Sequence, residues 1–125
     1  MKITINDHRK IYAVQKAFSQ MFPFLKLDFF AKPNTSGGVS PKNHIVGPSK
    51  TIGQCRTVHS KGTLSIMPQM TVSDIEQSFS DTFGLSVQVF HKSDKGWLEI
   101  TNNMVTLEKQ NATAAELSLE ETTKQ

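Results

Sequence analysis

The fold is decided by residues 62–101, which read GTLSIMPQMTVSDIEQSFSDTFGLSVQVFHKSDKGWLEIT. Apolar and polar residues alternate over 63–67, which predicts a short strand that Pro68 ends. Thr71 is a good N-cap because its hydroxyl can accept from the free N–H groups of a first helical turn. Gly84 suits the left-handed residue that follows a helix. The apolar residues between them keep one helical face: Val72, Ile75, Phe79 and Phe83.

The second half of this stretch predicts a β-hairpin. Residues 86–92 alternate as a strand does, and 97–101 form the return strand. Between them, Ser93-Asp94-Lys95-Gly96 has the composition of a tight turn, because Gly96 is free to adopt positive φ. Residues 62–66, 70–76, 83–90 and 96–99 together resemble a family of small uncharacterised bacterial proteins. That resemblance implies no activity and transfers no functional residue.

The N-terminal part predicts a β-α-β unit. Ile3 and Ile5 share one face of a strand, and a strand at 25–29 alternates in the same way. The helix between them is predicted to begin at a cap on Asn6 or Asp7. Its apolar face consists of Ile11, Val14, Phe18 and Met21.

The middle of the chain, residues 33–62, is a basic insertion rich in glycine and proline, and most of it is predicted to be loop. Thr51 and Gln54 have the spacing of a capping box, so a short helix is predicted over Thr51–Ser60. The polar tail, residues 102–125, is predicted to be either flexible or a frayed helix.

These elements follow the order β-α-β, loop or short helix, β-α-β-β. Two β-α-β units with apolar strand faces and apolar helix stripes predict an α+β fold in two layers. We expect a ferredoxin-like sandwich with an extra C-terminal strand, formed as a single domain by residues 1–101.

Composition excludes several classes of protein. Cys55 is the single cysteine among 125 residues, so no intramolecular disulfide can form. The longest apolar run has four residues, at 11–14, whereas a membrane-spanning helix needs about 20. We therefore expect a cytoplasmic protein that neither spans a membrane nor holds a metal or cofactor.

Charge is the clearest sign of a partner. No Asp or Glu lies between Asp28 and Asp74, although the net charge of the chain is only +3. Segment 29–73 therefore predicts nucleic-acid binding, because basic side chains can neutralise phosphates. Its candidate contacts are Lys32, Lys42, Lys50, Arg56 and Lys61.

A protein-interaction surface is the alternative that we favour. Strand alternation places Phe30, Phe90 and Trp97 opposite the predicted core, where they either cover a second core under the long loop or form an interface. Exposed aromatic side chains are typical of interfaces. The sequence therefore favours a non-enzymatic binding module that uses a sheet face or edge, with a protein partner or a second copy preferred over nucleic acid.

An enzymatic function is the third alternative. Cys55 and His59 are four residues apart and would share a face of a helix over Thr51–Ser60. Such a pair can produce a reactive thiolate. A lone cysteine is more often a small buried apolar residue, so this alternative ranks last.

Overall fold

The computed structural model describes residues 1–30, 45–56, 58–94, 96–102 and 104–123, and for 118–123 it describes the backbone alone. In chain order the elements are β1 (Lys2–Ile5), α1 (Ile11–Met21), β2 (Leu25–Phe30), a 3-10 helix (Ile52–Cys55), β3 (Gly62–Ser65), α2 (Val72–Phe83), β4 (Ser86–Ser93), β5 (Gly96–Glu99) and α3 (Leu107–Thr123).

The strands form two antiparallel sheets. β1 pairs with β3, and β4 lies between β2 and β5 in the second sheet. The prediction of an α+β fold is therefore confirmed. The ferredoxin-like strand order is not confirmed, because the described strands pair β4 with β2 rather than with β1.

The core lies between the sheets and the apolar stripes of the helices. The inward residues of β2 and β4 are buried, and Phe29 meets Phe79 of α2 edge to face with ring centroids 5.7 Å apart. Each predicted stripe residue of α2 is buried: Val72, Ile75, Phe79 and Phe83.

The signals at the two ends of α2 are confirmed. The backbone N–H of Asp74 donates to Thr71 Oγ1 at 3.1 Å, and Asp74 Oδ2 accepts from the Thr71 N–H at 3.0 Å. Gly84 has φ 63° and ends the helix in the left-handed conformation.

The predicted start of α1 is wrong. Asn6 Oδ1 accepts from the backbone N–H of Arg9 at 3.0 Å, and the helix begins only at Ile11. The Ile11 N–H then donates to the Lys50 carbonyl at 2.9 Å. The free donors of the first turn are thus satisfied by backbone from the middle of the chain, which no local cap signal could reveal.

The predicted helix over Thr51–Ser60 is shorter than expected. It is a 3-10 helix that ends at Cys55, and Arg56 is already extended, with φ −147° and ψ 161°. The capping interaction is present, because Gln54 Oε1 accepts from the Thr51 N–H at 2.8 Å. Gly53 is required here because a Cβ at that position would lie 2.9 Å from the Cβ of Asp7.

The tail contains a packed helix. Leu107 and Ala114 of α3 are buried, and α3 contacts β4 and β2. Asn111 Oδ1 accepts from the backbone N–H of Phe24 at 2.8 Å. Of the two predicted alternatives for the tail, the helix is therefore the one that the structure shows over 107–123.

Candidate functional site

Strand β5 directs part of its backbone away from the sheet. The Lys92 N–H donates to the Phe24 carbonyl at 2.9 Å, on the β2 side of β4. Lys92 lies opposite Trp97 of β5. Because the peptide groups of Lys92 point toward β2, these two residues do not exchange hydrogen bonds with each other. Because the direction of the peptide groups alternates along a strand, Trp97 and Glu99 point their N–H and C=O groups at the outer edge of β5.

The two edges of this sheet differ. Along the outer edge of β2, three carbonyls are satisfied by other parts of the chain: Leu25 O by Ser19 Oγ at 3.1 Å, Leu27 O by Gln15 Nε2 at 2.8 Å, and Phe29 O by the Val46 N–H at 2.8 Å. No strand of the described residues pairs with the outer edge of β5. All four residues of β5 are exposed. One edge is closed, and the other is open within the described part of the chain.

The sheet face beside the open edge carries an aromatic pair with a cation above it. The Nζ of Lys26 lies 5.5 Å from the ring centroid of Phe90 and 5.4 Å from that of Trp97. It also lies 3.5 Å from Asp28 Oδ2. A cation over two rings is attracted by their quadrupoles, so Lys26 helps to fix the orientation of Trp97, which is 39% exposed.

Of the three predicted interaction residues, two lie at this surface. Trp97 is exposed and Phe90 is half-buried. Phe30, the third, is only 5% exposed, and its backbone forms an isolated β-bridge with Ile45. Lys26 was not among the predicted interaction residues, although its position between the buried Leu25 and Leu27 places it on the outer face.

An open groove begins at this surface and runs toward α1. Its volume is about 500 Å³, comparable with small ligand pockets. Trp97 and Lys26 lie at one side, and Ile45 and Pro48 add apolar surface. Gln15 and Ser19 contribute polar groups, so the groove can receive a side chain that has both apolar and polar atoms.

A second cluster of polar side chains lies elsewhere in the molecule. The Arg56 side chain is 0% exposed, and its Nε and Nη2 donate to Asp7 Oδ1 at 3.1 and 2.9 Å. Its Nη1 donates to the Phe83 carbonyl at 2.8 Å, at the C-terminus of α2. Nδ1 of His59 lies 2.8 Å from Asp7 Oδ2. His59 and then Arg56 lower the pKa of Asp7 from its ordinary value of 3.8.

This cluster connects three parts of the chain that are distant in sequence. Asp7 precedes α1, Arg56 follows the 3-10 helix, and Phe83 ends α2. A guanidinium with its donors directed to a carboxylate and a helix-terminal carbonyl stabilises their relative positions. The role of Asp7 could not be predicted from the sequence, because a contact across 49 residues leaves no local pattern.

The predicted Cys55–His59 pair does not form in the described residues. The Cys55 thiol is buried and donates to the Ile52 carbonyl at 3.2 Å, whereas His59 contacts Asp7. Burial raises the pKa of the Cys55 thiol, which opposes formation of the reactive thiolate. This environment is that of a small buried apolar residue.

Of the five predicted nucleic-acid contacts, the structure describes Lys50, Arg56 and Lys61. Lys32 and Lys42 lie outside the described residues. Lys50 and Lys61 are exposed, and Lys61 borders a shallow groove with Asn6 and Thr63. Arg56 uses its donors within the fold, so phosphate contacts by segment 29–73 stay a prediction that rests on the lysines.

Comparisons with known proteins identify no relative: no family model, no curated protein and no solved structure matches the chain. Among the described helices, none has the length and apolar composition needed to cross a bilayer. Three or more His, Cys, Asp or Glu side chains do not gather anywhere in the described ranges as a metal site would require.

Proposed function

We propose that this protein is a non-enzymatic interaction module that binds an extended protein segment along the outer edge of β5. The supporting observation is the difference between the two edges of one sheet. Side chains of α1 and the backbone of Val46 satisfy the edge of β2. The edge of β5 presents the peptide groups of Trp97 and Glu99 and has no strand partner in the described chain.

Strand addition explains how such an edge gains affinity. A bound segment would form main-chain hydrogen bonds with Trp97 and Glu99, which depend little on its sequence. Its side chains would alternate between the two faces of the extended sheet. Those on the outer face would lie beside Trp97, and this contact would supply selectivity.

Trp97 is the residue that contributes most to binding in this proposal. It is large, 39% exposed and held beside Phe90 by the cation of Lys26. An aromatic residue whose orientation is already fixed loses little conformational entropy when a partner covers it. Tryptophan side chains at the centre of interfaces often contribute more than 2 kcal/mol to binding.

The proposal is tested by selecting binders from a displayed library of random peptides against the full chain. We expect enriched peptides to perturb the amide resonances of Trp97 and Glu99, and to bind Trp97→Ala at least about tenfold more weakly. Met67→Ala is the matched control. Met67 is 49% exposed and follows the end of β3, a strand that belongs to the other sheet. A library that yields no Trp97-dependent binder would overturn the proposal.

A further inference from the structure

We infer that the segment bound at the β5 edge belongs to a second copy of this chain, joined antiparallel about a two-fold axis at Leu98. This inference rests on the proposed function and narrows its partner to the protein itself. Two three-stranded sheets would then join through their β5 strands into one continuous sheet.

Hydrogen bonding fits this symmetry. A two-fold axis at Leu98 places Trp97 opposite Glu99 of the partner subunit, and Glu99 opposite the partner's Trp97. These are the two residues of β5 whose peptide groups point outward. Each opposed pair can therefore exchange both of its N–H···O bonds, as hydrogen-bonded pairs of an antiparallel ladder do.

The side chains of β5 also fit. Leu98 is 45% exposed although it shares a strand face with the buried Ile100. Under the two-fold axis it lies opposite the partner's Leu98 in a non-hydrogen-bonded pair, where side chains approach most closely. On the other face, Trp97 packs beside the partner subunit's Glu99. Leu98, the more exposed of the two large apolar side chains of β5, is thereby covered.

Registers centred on the residues beside Leu98 fit less well. An axis at Glu99 would set two carboxylates directly opposite each other, which destabilises a strand pair. The partner's β5 begins at Gly96. An axis at Trp97 would place Glu99 opposite a position before that strand begins, so its outward peptide groups would have no strand residue opposite them. The register centred on Leu98 is therefore the one that uses the outward groups of the whole strand.

The contact is small, so the association should be weak. β5 has four residues, and interfaces well below about 1,200 Å² are typical of transient complexes. We expect the full chain to show a concentration-dependent rise in weight-average mass by sedimentation equilibrium, in a series that reaches millimolar protein. Leu98→Lys should remove this rise, because it places two ammonium groups at the axis.

Disulfide trapping tests the register. Leu98→Cys places two thiols on the axis, with Cα atoms about 4.5 Å apart, which a disulfide can bridge. Trp97→Cys is the matched control one residue away, since the axis holds its two copies about 8 Å apart, beyond disulfide reach. With oxidised glutathione as the oxidant, we expect covalent dimer from Leu98→Cys but not from Trp97→Cys or the parent chain, whose Cys55 is buried.

Each outcome decides the inference. Monomer at every concentration, absence of a Leu98→Cys dimer, or equal crosslinking of the two variants would overturn it. If it fails while selected peptides still bind in a Trp97-dependent manner, the proposed function stands with another partner. If the Leu98→Cys dimer forms but no peptide binds, self-association at the β5 edge stands and recognition of other proteins is wrong.

Discussion

Replacing Arg56 by Met should destabilise the protein without disturbing its surface. The Arg56 side chain is 0% exposed and donates to Asp7 and to the Phe83 carbonyl. Methionine can occupy much of the same volume, but it cannot donate a hydrogen bond. The substitution therefore isolates the polar contribution of the guanidinium from its packing.

The expected cost follows from the partners that are left behind. A buried carbonyl at Phe83 that loses its donor costs about 1–3 kcal/mol. Asp7 loses charge-assisted hydrogen bonds, but its side chain is 33% exposed, so water replaces part of what is lost. The expected loss, about 1–3 kcal/mol, is therefore set mainly by the Phe83 carbonyl and lies below the cost of breaking a fully buried ion pair.

Urea unfolding of the parent chain and Arg56→Met measures this difference as a shift in the free energy of unfolding. In a separate thermal unfolding experiment, the midpoint of a chain of this size should fall by roughly 3–15 °C. Arg9→Met is the matched control, because Arg9 Nη1 also donates to a carbonyl, that of Thr4 at 2.7 Å, but at an exposed site. We expect its effect to stay within about 0.5 kcal/mol.

A difference of less than about 0.5 kcal/mol between the two Met variants would refute the structural role assigned to Arg56. If Arg56→Met fails to fold, Arg56→Lys keeps the test open. One ammonium cannot contact both Asp7 and the Phe83 carbonyl in the fork geometry of a guanidinium, so an intermediate loss of stability is expected. Stability equal to that of the parent chain would contradict the reasoning.

Three further predictions address the titrating groups and the alternative functions. Because contacts with His59 and Arg56 lower the pKa of Asp7, its stabilisation is present above the ordinary value of 3.8 and is lost as pH falls through the lower folded value. Asp7→Asn should therefore flatten the acid limb of stability against pH, and unchanged limbs would count against this pairing. Iodoacetamide should modify Cys55 slowly at neutral pH in the folded protein and rapidly in urea, since burial raises the pKa of its thiol; rapid alkylation of the native protein would instead favour the enzymatic alternative. If segment 29–73 binds nucleic acid, fluorescence anisotropy should show salt-sensitive binding of random oligonucleotides that Lys50→Glu with Lys61→Glu weakens, and binding unaffected by that double reversal would exclude this surface.

Local signals predicted most of the elements correctly. The cap at Thr71, the stripe through Phe79 and the left-handed Gly84 each depend on residues within one or two helical turns. The hairpin between β4 and β5 is equally local, because a short turn fixes which residues face each other. These features could be predicted because the chain positions involved are close together.

Contacts between distant segments could not be predicted in this way. The start of α1 depends on the Lys50 carbonyl, and the place where the 3-10 helix ends depends on Arg56 turning toward Asp7. Pairing of β4 with β2 likewise depends on closing a long loop, which strand periodicity does not specify. The bridge between Phe30 and Ile45 has the same origin.

The charge of segment 29–73 shows how such contacts alter a functional argument. The segment contains no acid, yet Arg56 obtains its counter-charge from Asp7, which lies outside the segment. A net charge counted over a sequence window therefore overstates the charge available to a ligand, since a buried guanidinium cannot reach a phosphate without leaving its partners. Only the exposed lysines then support nucleic-acid binding.

The open edge of β5 does not depend on charge counted over a sequence window, because the hydrogen bonds of the backbone ladder define it. Closing the edge of β2 uses ordered side chains at Gln15 and Ser19, and holding those side chains in one rotamer costs conformational entropy. The β5 strand instead exposes Trp97 and Leu98 beside peptide groups that have no strand partner among the described residues, a combination that favours pairing with another strand. A second copy joined at Leu98 would pair those peptide groups and cover Leu98, and the Leu98→Cys experiment tests this register independently of the peptide-binding experiment.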